Sequence, residues 1–196
     1  MIILSAISLF QYSRVDVEVL DEKFDVEKKP GMTIVGLISD THIPSRAKKI
    51  PSKVFEIFKD ADLIIHAGDI IQISVINELE QIAPVLAVHG NMDPPDVKTK
   101  LPEFNSIEFR GRKTGIIHNP DALYGMDKMK RIAKEKDLNI LVFGHTHKQF
   151  IKNENNVLFI NPGSVNDPLP KLLMKATVGL LIITEEKVTP LIVKIE

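Results

Sequence analysis

The chain has 196 residues, with 25 Lys and Arg against 26 Asp and Glu, so its formal net charge is −1. This length suits one domain with its own hydrophobic core, and the balanced charge does not favour unspecific binding to nucleic acid or anionic membranes. Cysteine is absent, which excludes disulfides, thiolate zinc sites and cysteine nucleophiles. Any metal must therefore bind to histidine, carboxylate or amide groups.

The beginning of the chain differs in character from the rest. Residues 1–10 are apolar, but a membrane span needs about 20 apolar residues, and a secretory signal needs a charged start and a cleavage site. Residues 15–26 alternate weakly between apolar and charged, as in an edge strand. We predict that residues 1–31 are an N-terminal extension, either poorly ordered or an added strand, and that residues 32–196 form the functional domain. We expect a cytoplasmic location.

The remaining chain alternates between strand and helix patterns. Apolar segments of strand length lie at residues 33–39, 63–66, 85–88, 106–109, 114–118, 140–143, 149–152, 157–160, 178–183 and 188–195. Segments with helical apolar spacing lie at residues 53–59, 74–82 and 128–136. Strand–helix–strand order favours parallel βαβ units, whereas the strand-rich last third favours hairpins. The pattern predicts a layered α/β domain, parallel early and antiparallel late.

Polar residues follow the carboxyl ends of the predicted strands, where open α/β sheets place their ligand sites. The potential metal ligands among them are Asp40, His42, Asp69, Asn91, His118, His145 and His147. Each short motif is weak evidence by itself, because an aspartate in a loop usually belongs to a turn. Their shared position in strand-end loops makes chance the poorer explanation.

Two further observations favour a pair of cations. The imidazoles of His145 and His147, in an extended chain, would project to one side about 7 Å apart, which suits two ions about 3.5–4 Å apart. Two divalent ions, balanced by Asp40, Asp69 and a bridging hydroxide, would leave a net positive charge that attracts a phosphoester anion.

The motifs resemble those of the calcineurin-like metallophosphoesterases, and in chain order they are Asp40-x-His42, Gly68-Asp69, Gly90-Asn91-x-Asp93, His118 and Gly144-His145-x-His147. The loop at residues 161–164 further resembles the small uncapped phosphodiesterases of archaea and bacteria. The resemblance extends from about Met32 to the C-terminus. The motif set as a whole is highly specific.

The resemblance implies a four-layer α/β/β/α sandwich with mixed sheets. It implies a small phosphodiester substrate and a hydroxide that bridges two metals and attacks phosphorus. The implied ligands are Asp40, His42, Asp69 and His147 for one metal, and Asp69, Asn91, His118 and His145 for the other. Asp69, Asn91 and His145 are the expected catalytic residues. Nitrogen and oxygen donors suit Mn, Fe, Zn or Ni, and we favour Mn.

Two positions depart from the family pattern. Met92 stands where many active members have a histidine that protonates the leaving group. Asp93 or a water is then the remaining candidate for the proton donor. Because a general acid contributes about 10²–10⁴-fold, we expect hydrolysis of aryl diesters and weak activity on alkyl monoesters. Asn119 stands where the family has glycine, and asparagine tolerates the left-handed backbone of such a turn.

Other functions remain open. The alternative is a weakly active or inactive metal-binding scaffold, similar to the retromer subunit of the superfamily, and the change at Met92 favours it. The complete ligand set favours an enzyme, and neutral charge disfavours a nuclease. We expect no membrane or nucleic-acid partner, and a homo-oligomer stays open.

His66 and His89 are either hydrogen-bond partners of the ligands or ordinary strand-end residues, and Lys128 belongs to a solvated helix face.

Overall fold

The computed structural model describes residues 18–20, 28–119, 126–169 and 174–195. The strands are β1 Glu18–Leu20, β2 Thr33–Ile38, β3 Leu63–His66, β4 Val85–Ala87, β5 Phe104–Phe109, β6 Arg112–Ile117, β7 Ile140–Phe143, β8 Gln149–Glu154, β9 Val157–Pro162, β10 Ala176–Ile183 and β11 Val188–Ile195. The helices are α1 Ser52–Phe58, α2 Ser74–Leu79, α3 Pro95–Lys98 and α4 Asp127–Glu135.

The first sheet has the strand order β1-β11-β10-β2-β3-β4. In it β2, β3 and β4 are parallel neighbours, and α1 and α2 provide the crossovers that parallel pairing requires. The strands β2 and β3 are almost entirely buried, as expected for apolar strands covered on both faces. The C-terminal hairpin of β10 and β11 joins this sheet antiparallel to β2.

The second sheet has the strand order β5-β6-β7-β9-β8. Here β6, β7 and β9 are parallel neighbours, with β5 and β8 paired antiparallel at the two edges. The β5–β6 turn contains Arg110 and Gly111, both in the left-handed region with φ of 49° and 72°. Glycine takes up this conformation without steric cost.

Three apolar clusters fill the spaces between four layers. Phe58 of α1 and Leu79 of α2 pack on the outer face of the first sheet. Leu37 and Val142 belong to the cluster between the two sheets. Met129 of α4 packs on the outer face of the second sheet. The predicted α/β class and the four-layer sandwich with mixed sheets are confirmed.

The packing of the sheets brings the carboxyl ends of their parallel strands to one edge. Within the first sheet, the Asp40 N–H donates to the Gly68 carbonyl at 3.0 Å. Between the sheets, His118 Nδ1 lies 2.8 Å from the Ala67 carbonyl oxygen. The loops after β2, β3 and β6 are therefore held against one another.

The structure also differs from the sequence-based expectations in places. The helix predicted at residues 74–82 ends at Leu79, and Pro95–Lys98 forms a short helix in a segment without a predicted helix. Pro95 occupies the start of α3, where a missing N–H is not costly. Within the predicted extension, Glu18–Leu20 pairs parallel with β11. The other residues before 28 lie outside the described part, so the boundary at residue 32 stays a prediction.

Candidate metal centre

The structure brings all of the sequence-predicted site residues together at the shared edge of the two sheets. Asp40 and His42 follow β2, Asp69 follows β3, and Asn91 lies in the loop after β4. His118 follows β6, and His145 and His147 follow β7. Their side chains form two adjoining groups of donor atoms.

The first donor group consists of Asp40, His42, Asp69 and His147, which are all buried, with one donor atom from each within 4.8 Å of the others. His147 Nε2 lies 3.2 Å from His42 Nε2 and 3.2 Å from Asp40 Oδ1. Metal–ligand bonds of about 2.1 Å place neighbouring donors about 3.0–3.4 Å apart. The spacing therefore fits a single ion.

The second donor group adjoins the first on the solvent side. Asn91 Oδ1 lies 3.1 Å from His118 Nε2 and 2.9 Å from His145 Nδ1. His118 is buried, whereas His145 is half-buried and Asn91 is exposed. This group is therefore the one that a ligand from solvent reaches first.

Asp69 belongs to both groups. Its Oδ2 lies 3.7 Å from His42 Nε2 and 3.3 Å from His118 Nε2, so this single oxygen stands between the two groups. Its Oδ1 accepts the backbone N–H of Met92 at 2.8 Å. The Met92 hydrogen bond thus fixes which oxygen faces the donors.

Asp40 provides a test of whether these residues suit a metal. Its Oδ2 accepts the Ser39 hydroxyl at 2.6 Å and the His145 N–H at 3.2 Å. Its Oδ1 is buried and has no hydrogen-bond partner among the described residues. An unpaired buried carboxylate oxygen costs about 1–3 kcal/mol or more, and a cation removes that cost. The donor set fits a divalent metal.

Hydrogen bonds orient two of the imidazoles toward the centre. His118 Nδ1 lies 2.8 Å from the Ala67 carbonyl, and His147 Nδ1 lies 2.6 Å from the Asp167 carbonyl. A carbonyl oxygen only accepts, so both Nδ1 atoms carry a proton, and Nε2 is the nitrogen of each ring that can bind a metal. This arrangement is typical of metal-binding histidines.

The backbone of the loops is left-handed at many of the donors. The φ angles are 53° at Asp40, 48° at His42, 55° at Asp69, 70° at His145 and 56° at His147. The extended Gly-His-x-His expected from the sequence is therefore wrong: two left-handed residues send one imidazole to each donor group. Such residues cost about 1–3 kcal/mol each and cluster at functional sites.

Two glycines are required by close contacts within the centre. A Cβ on Gly90 would lie 2.6 Å from the Asp69 backbone nitrogen and would also overlap the Asp69 carboxylate. A Cβ on Gly68, whose φ is +92°, would lie 2.7 Å from the His118 side chain. A side chain at either position would displace a donor.

For both Asp69 and His118, burial and the nearby charges shift the pKa in opposite directions. Burial raises the pKa of Asp69, but the hydrogen bond and charge of His118 outweigh it and lower that pKa below its usual value. Burial lowers the pKa of His118, but the hydrogen bond that its protonated imidazole donates to Asp69 and the charges of Asp40 and Asp69 raise that pKa overall. The Asp69 carboxylate is therefore ionised and attracts positive charge.

Asp93 is a positioning residue rather than the acid that the sequence left open. Its Oδ1 accepts the Ile71 N–H at 2.6 Å, and its Oδ2 accepts the Gly90 N–H at 2.7 Å. The side chain is buried. Both oxygens thus join the loops that carry Asp69 and Asn91, and burial keeps the carboxyl group away from solvent.

Other supporting residues could not be found from local sequence. Buried Asp167 pairs with Arg46, and its Oδ2 lies 3.4 Å from His147 Nδ1. Arg46 is 121 residues away in sequence, so no local motif marks this pair. His66 is a hydrogen-bond partner: its Nδ1 accepts the Gly68 N–H at 3.2 Å, and its Nε2 lies 3.2 Å from Thr41 Oγ1.

The comparison with protein families agrees with this geometry. A family model described as the calcineurin-like phosphoesterase superfamily domain matches residues 32–186. The chain belongs to this superfamily. The resemblance inferred from the sequence motifs is confirmed.

Individual relatives of the phosphoesterase superfamily extend the comparison. A probable metallophosphoesterase of Methanothermobacter thermautotrophicus is 38% identical over 69% of this chain and 78% of its own. A probable metallophosphoesterase of Methanocaldococcus jannaschii is 36% identical over 85% of this chain and 83% of its own. A phosphodiesterase of the same organism is 30% identical over 66% of this chain and 82% of its own. The solved Vacuolar Protein Sorting 29 of Cryptosporidium parvum has a TM-score of 0.69 at 23% identity, over 84% of this chain and 98% of its own.

In the described part of this phosphoesterase-family chain, no helix has the length and apolarity that crossing a bilayer requires.

Proposed function

We propose that the chain is a metal-dependent phosphodiesterase that binds two divalent cations, one in each donor group. The observation that carries the proposal is the position of Asp69 Oδ2, within 3.7 Å and 3.3 Å of imidazole nitrogens from the two groups. A shared carboxylate oxygen is the feature that a pair of closely spaced cations needs. The phosphodiesterase relative supports the reaction type.

The first ion would bind to Asp40, His42, Asp69 and His147, and the second to Asp69, Asn91, His118 and His145. When bound, the ions would supply a water of lowered pKa as nucleophile and would offset phosphate charge. Mn is our favoured metal, with Fe, Zn and Ni as alternatives suited to nitrogen and oxygen donors.

The two carboxylates leave the loaded centre positively charged. Asp40 and Asp69 contribute two negative charges, which two divalent cations exceed by about two units. Burial lowers the pKa of His42, against the attraction of Asp69 and Asp40, and so favours the neutral imidazole that a metal binds. Burial, followed by the charge of His118, also lowers the pKa of His145. The centre therefore attracts a phosphodiester anion.

Asn91 and His145 have the most direct access to a substrate, because the other donors are buried. Asn91 Oδ1 faces His118 and His145, so Nδ2 is the atom of this amide that can donate to a phosphate oxygen. We propose that Asn91 and His145 position the substrate in addition to binding metal.

Met92 determines which diesters are hydrolysed well. Its side chain is 52% exposed and carries no proton that it could give to a leaving group. Asp93 cannot replace it, because both of its oxygens accept backbone N–H groups. We therefore propose that diesters with activated leaving groups, such as aryl phosphodiesters, react fastest.

The runner-up function is a metal-binding scaffold with little or no turnover. The observation in its favour is again Met92, an exposed apolar side chain beside the donor groups where an acid would be useful. Such a scaffold would bind metal but would not hydrolyse a diester.

The decisive experiment is hydrolysis of bis-p-nitrophenyl phosphate with Mn²⁺, with Ni²⁺ and with a chelator, combined with metal counts per chain. We expect metal-dependent turnover and two ions per chain. Replacing a supporting partner of a ligand costs about 10–100-fold, so Asp69→Asn should cost at least about 100-fold. Asp96→Asn, on the exposed first turn of α3, is the matched control and should keep full activity.

The outcomes separate the two functions. Bound metal without turnover would support the scaffold, and one ion per chain would contradict the dinuclear centre. Activity should also fall in acid, because imidazole ligands must be neutral to coordinate. A rate that stays constant down to about pH 4.5 would argue against histidine ligands.

A further inference from the structure

A loop that carries none of the proposed metal ligands packs against the first donor group. This loop, residues 163–167, follows β9. The buried Ser164 hydroxyl donates to the Asp40 carbonyl at 2.9 Å, and the Asn166 side-chain amide donates to the Thr41 carbonyl at 2.8 Å. The 163–167 loop is therefore fastened to the backbone segment that follows β2.

Asp167 joins the same loop to His147. The Asp167 carbonyl oxygen lies 2.6 Å from His147 Nδ1, and the carboxylate Oδ2 lies 3.4 Å from that nitrogen. The Asp167 N–H donates to the Ser164 hydroxyl at 2.8 Å, so one hydroxyl links the contact with His147 to the contact with Asp40. Through these bonds the loop contacts the segments after β2 and β7, which supply three of the four ligands of the first donor group.

Arg46 adds a charged contact to this arrangement. Its backbone N–H donates to the His42 carbonyl at 2.8 Å, and its guanidinium pairs with the Asp167 carboxylate. The Asp167 side chain is 2% exposed, and a buried carboxylate is costly unless a cation and hydrogen bonds compensate it. The ion pair therefore favours the loop position in which Asp167 contacts both Arg46 and His147.

We propose that Asp167, held by Arg46, is a positioning residue for the first of the two ions. Its contacts with Nδ1 fix the ring of His147, so that Nε2 lies 3.2 Å from His42 Nε2 and 3.2 Å from Asp40 Oδ1. Metal–nitrogen bonds of about 2.0–2.1 Å leave little freedom in these spacings. The inference rests on the metal binding in the proposed function and does not need hydrolysis.

The second ion should depend much less on this loop. His118 of the second donor group is oriented by the Ala67 carbonyl, which lies 2.8 Å from its Nδ1 and directly follows β3. Replacing a partner of a metal-binding histidine costs about 10–100-fold in metal affinity. We therefore expect a loss of that size for the first ion and a smaller loss for the second.

The test is titration of the chelator-treated protein with Co²⁺, followed by calorimetry and by the visible absorption of the bound ion. Calorimetry gives the affinity of each binding step. The absorption spectrum reports the coordination geometry, which a merely structural contact would leave unchanged. His147→Ala and His118→Ala assign the steps, because each variant removes a ligand of one donor group only.

A further readout needs no metal. In the chelator-treated protein the Nδ1–H of His147, which is buried, donates to the Asp167 carbonyl. Its NMR signal should therefore exchange slowly with water in the wild type, and faster when the loop is released.

The main variant is Asp167→Asn, which keeps the size of the side chain and removes its charge. Arg46→Gln alone would take the guanidinium away from a buried carboxylate, so it is combined with Asp167→Asn in a double variant that leaves neither charge. We expect both variants to weaken the first binding step and to change the Co²⁺ spectrum. Arg46→Lys keeps the positive charge and should retain most of the affinity.

The control is Lys130→Gln, which breaks the ion pair between Lys130 Nζ and Glu154, 2.5 Å apart. Glu154 pairs with Val157 at the start of β9, whereas the 163–167 loop follows the end of that strand. The control should therefore change neither the affinities nor the spectrum.

Two results of the titration would overturn the inference. One is an unchanged first step and spectrum in both Asp167→Asn and the double variant. The other is an equal loss for both ions, or a loss as large in Lys130→Gln, which would indicate general destabilisation. If the protein binds no Co²⁺, the proposed function fails, but the exchange of the His147 Nδ1–H still decides: equal rates in the wild type and the double variant would show that the pair does not hold this ring.

Discussion

His66 is a buried titratable group whose protonation should destabilise the fold measurably. Its side chain is fully buried, its Nδ1 accepts the Gly68 N–H, and its Nε2 contacts Thr41 between the donors Asp40 and His42. Burial lowers the pKa of His66 from 6.5 to about 3, against the attraction of Asp40. The folded chain therefore keeps this imidazole neutral where the unfolded chain protonates it.

The magnitude follows from proton linkage. Between pH 6.5 and about 3 the unfolded state binds one more proton at this histidine than the folded state. The stability due to neutral His66 is thus fully present above pH 6.5 and is lost as the pH falls toward 3. At pH 5 the linkage relation gives a loss of about 2 kcal/mol relative to neutral pH.

The assay is urea denaturation of the chelator-treated protein at neutral pH and at about pH 5, for the wild type and for His66→Asn. Asparagine retains an acceptor for the Gly68 N–H and does not titrate. His118, whose pKa is raised, contributes with the opposite sign, but it is present in both proteins and cancels in their difference. We expect the wild type to lose about 2 kcal/mol more than the variant on acidification.

A stability difference between the two proteins that stays constant within about 0.5 kcal/mol across this pH range would refute the reasoning. Such a result would mean that the native state accommodates a protonated His66. It would also remove the argument that this imidazole keeps a fixed pair of hydrogen bonds beneath the candidate metal centre.

Three other predictions concern the centre and its boundaries. Asp93→Asn leaves one acceptor for two backbone N–H groups, so the free energy of unfolding should fall by about 1–3 kcal/mol in a denaturation experiment. Metal titration should show a loss of about 10–100-fold in affinity, and unchanged affinity would contradict the positioning role of Asp93. Gly90→Ala places a Cβ against Asp69, so metal counts should fall while the circular dichroism spectrum stays native; full metal loading would show that the loop adapts. Deleting residues 1–31 should leave metal content and hydrolysis intact, and loss of both would refute the domain boundary at residue 32.

The sequence alone determined which types of ligand the candidate metal centre can offer. Without cysteine, any metal ligand had to be histidine, carboxylate or amide, and the period of the apolar segments placed these residues after strands. Parallel strands end at a common edge, so Asp40, Asp69 and Asn91 could be expected to meet. The family motifs added the second sheet and the four-layer sandwich, which the structure confirms.

Tertiary structure decided how the donors face one another and what supports them. The left-handed backbone at His145 and His147 separates their imidazoles, because loop contacts rather than local preference fix these φ angles. The pairing of Asp167 with Arg46 and the contact of Asp167 with His147 join distant parts of the chain. Such contacts depend on how sheets and loops pack, and no periodicity within a short segment encodes them.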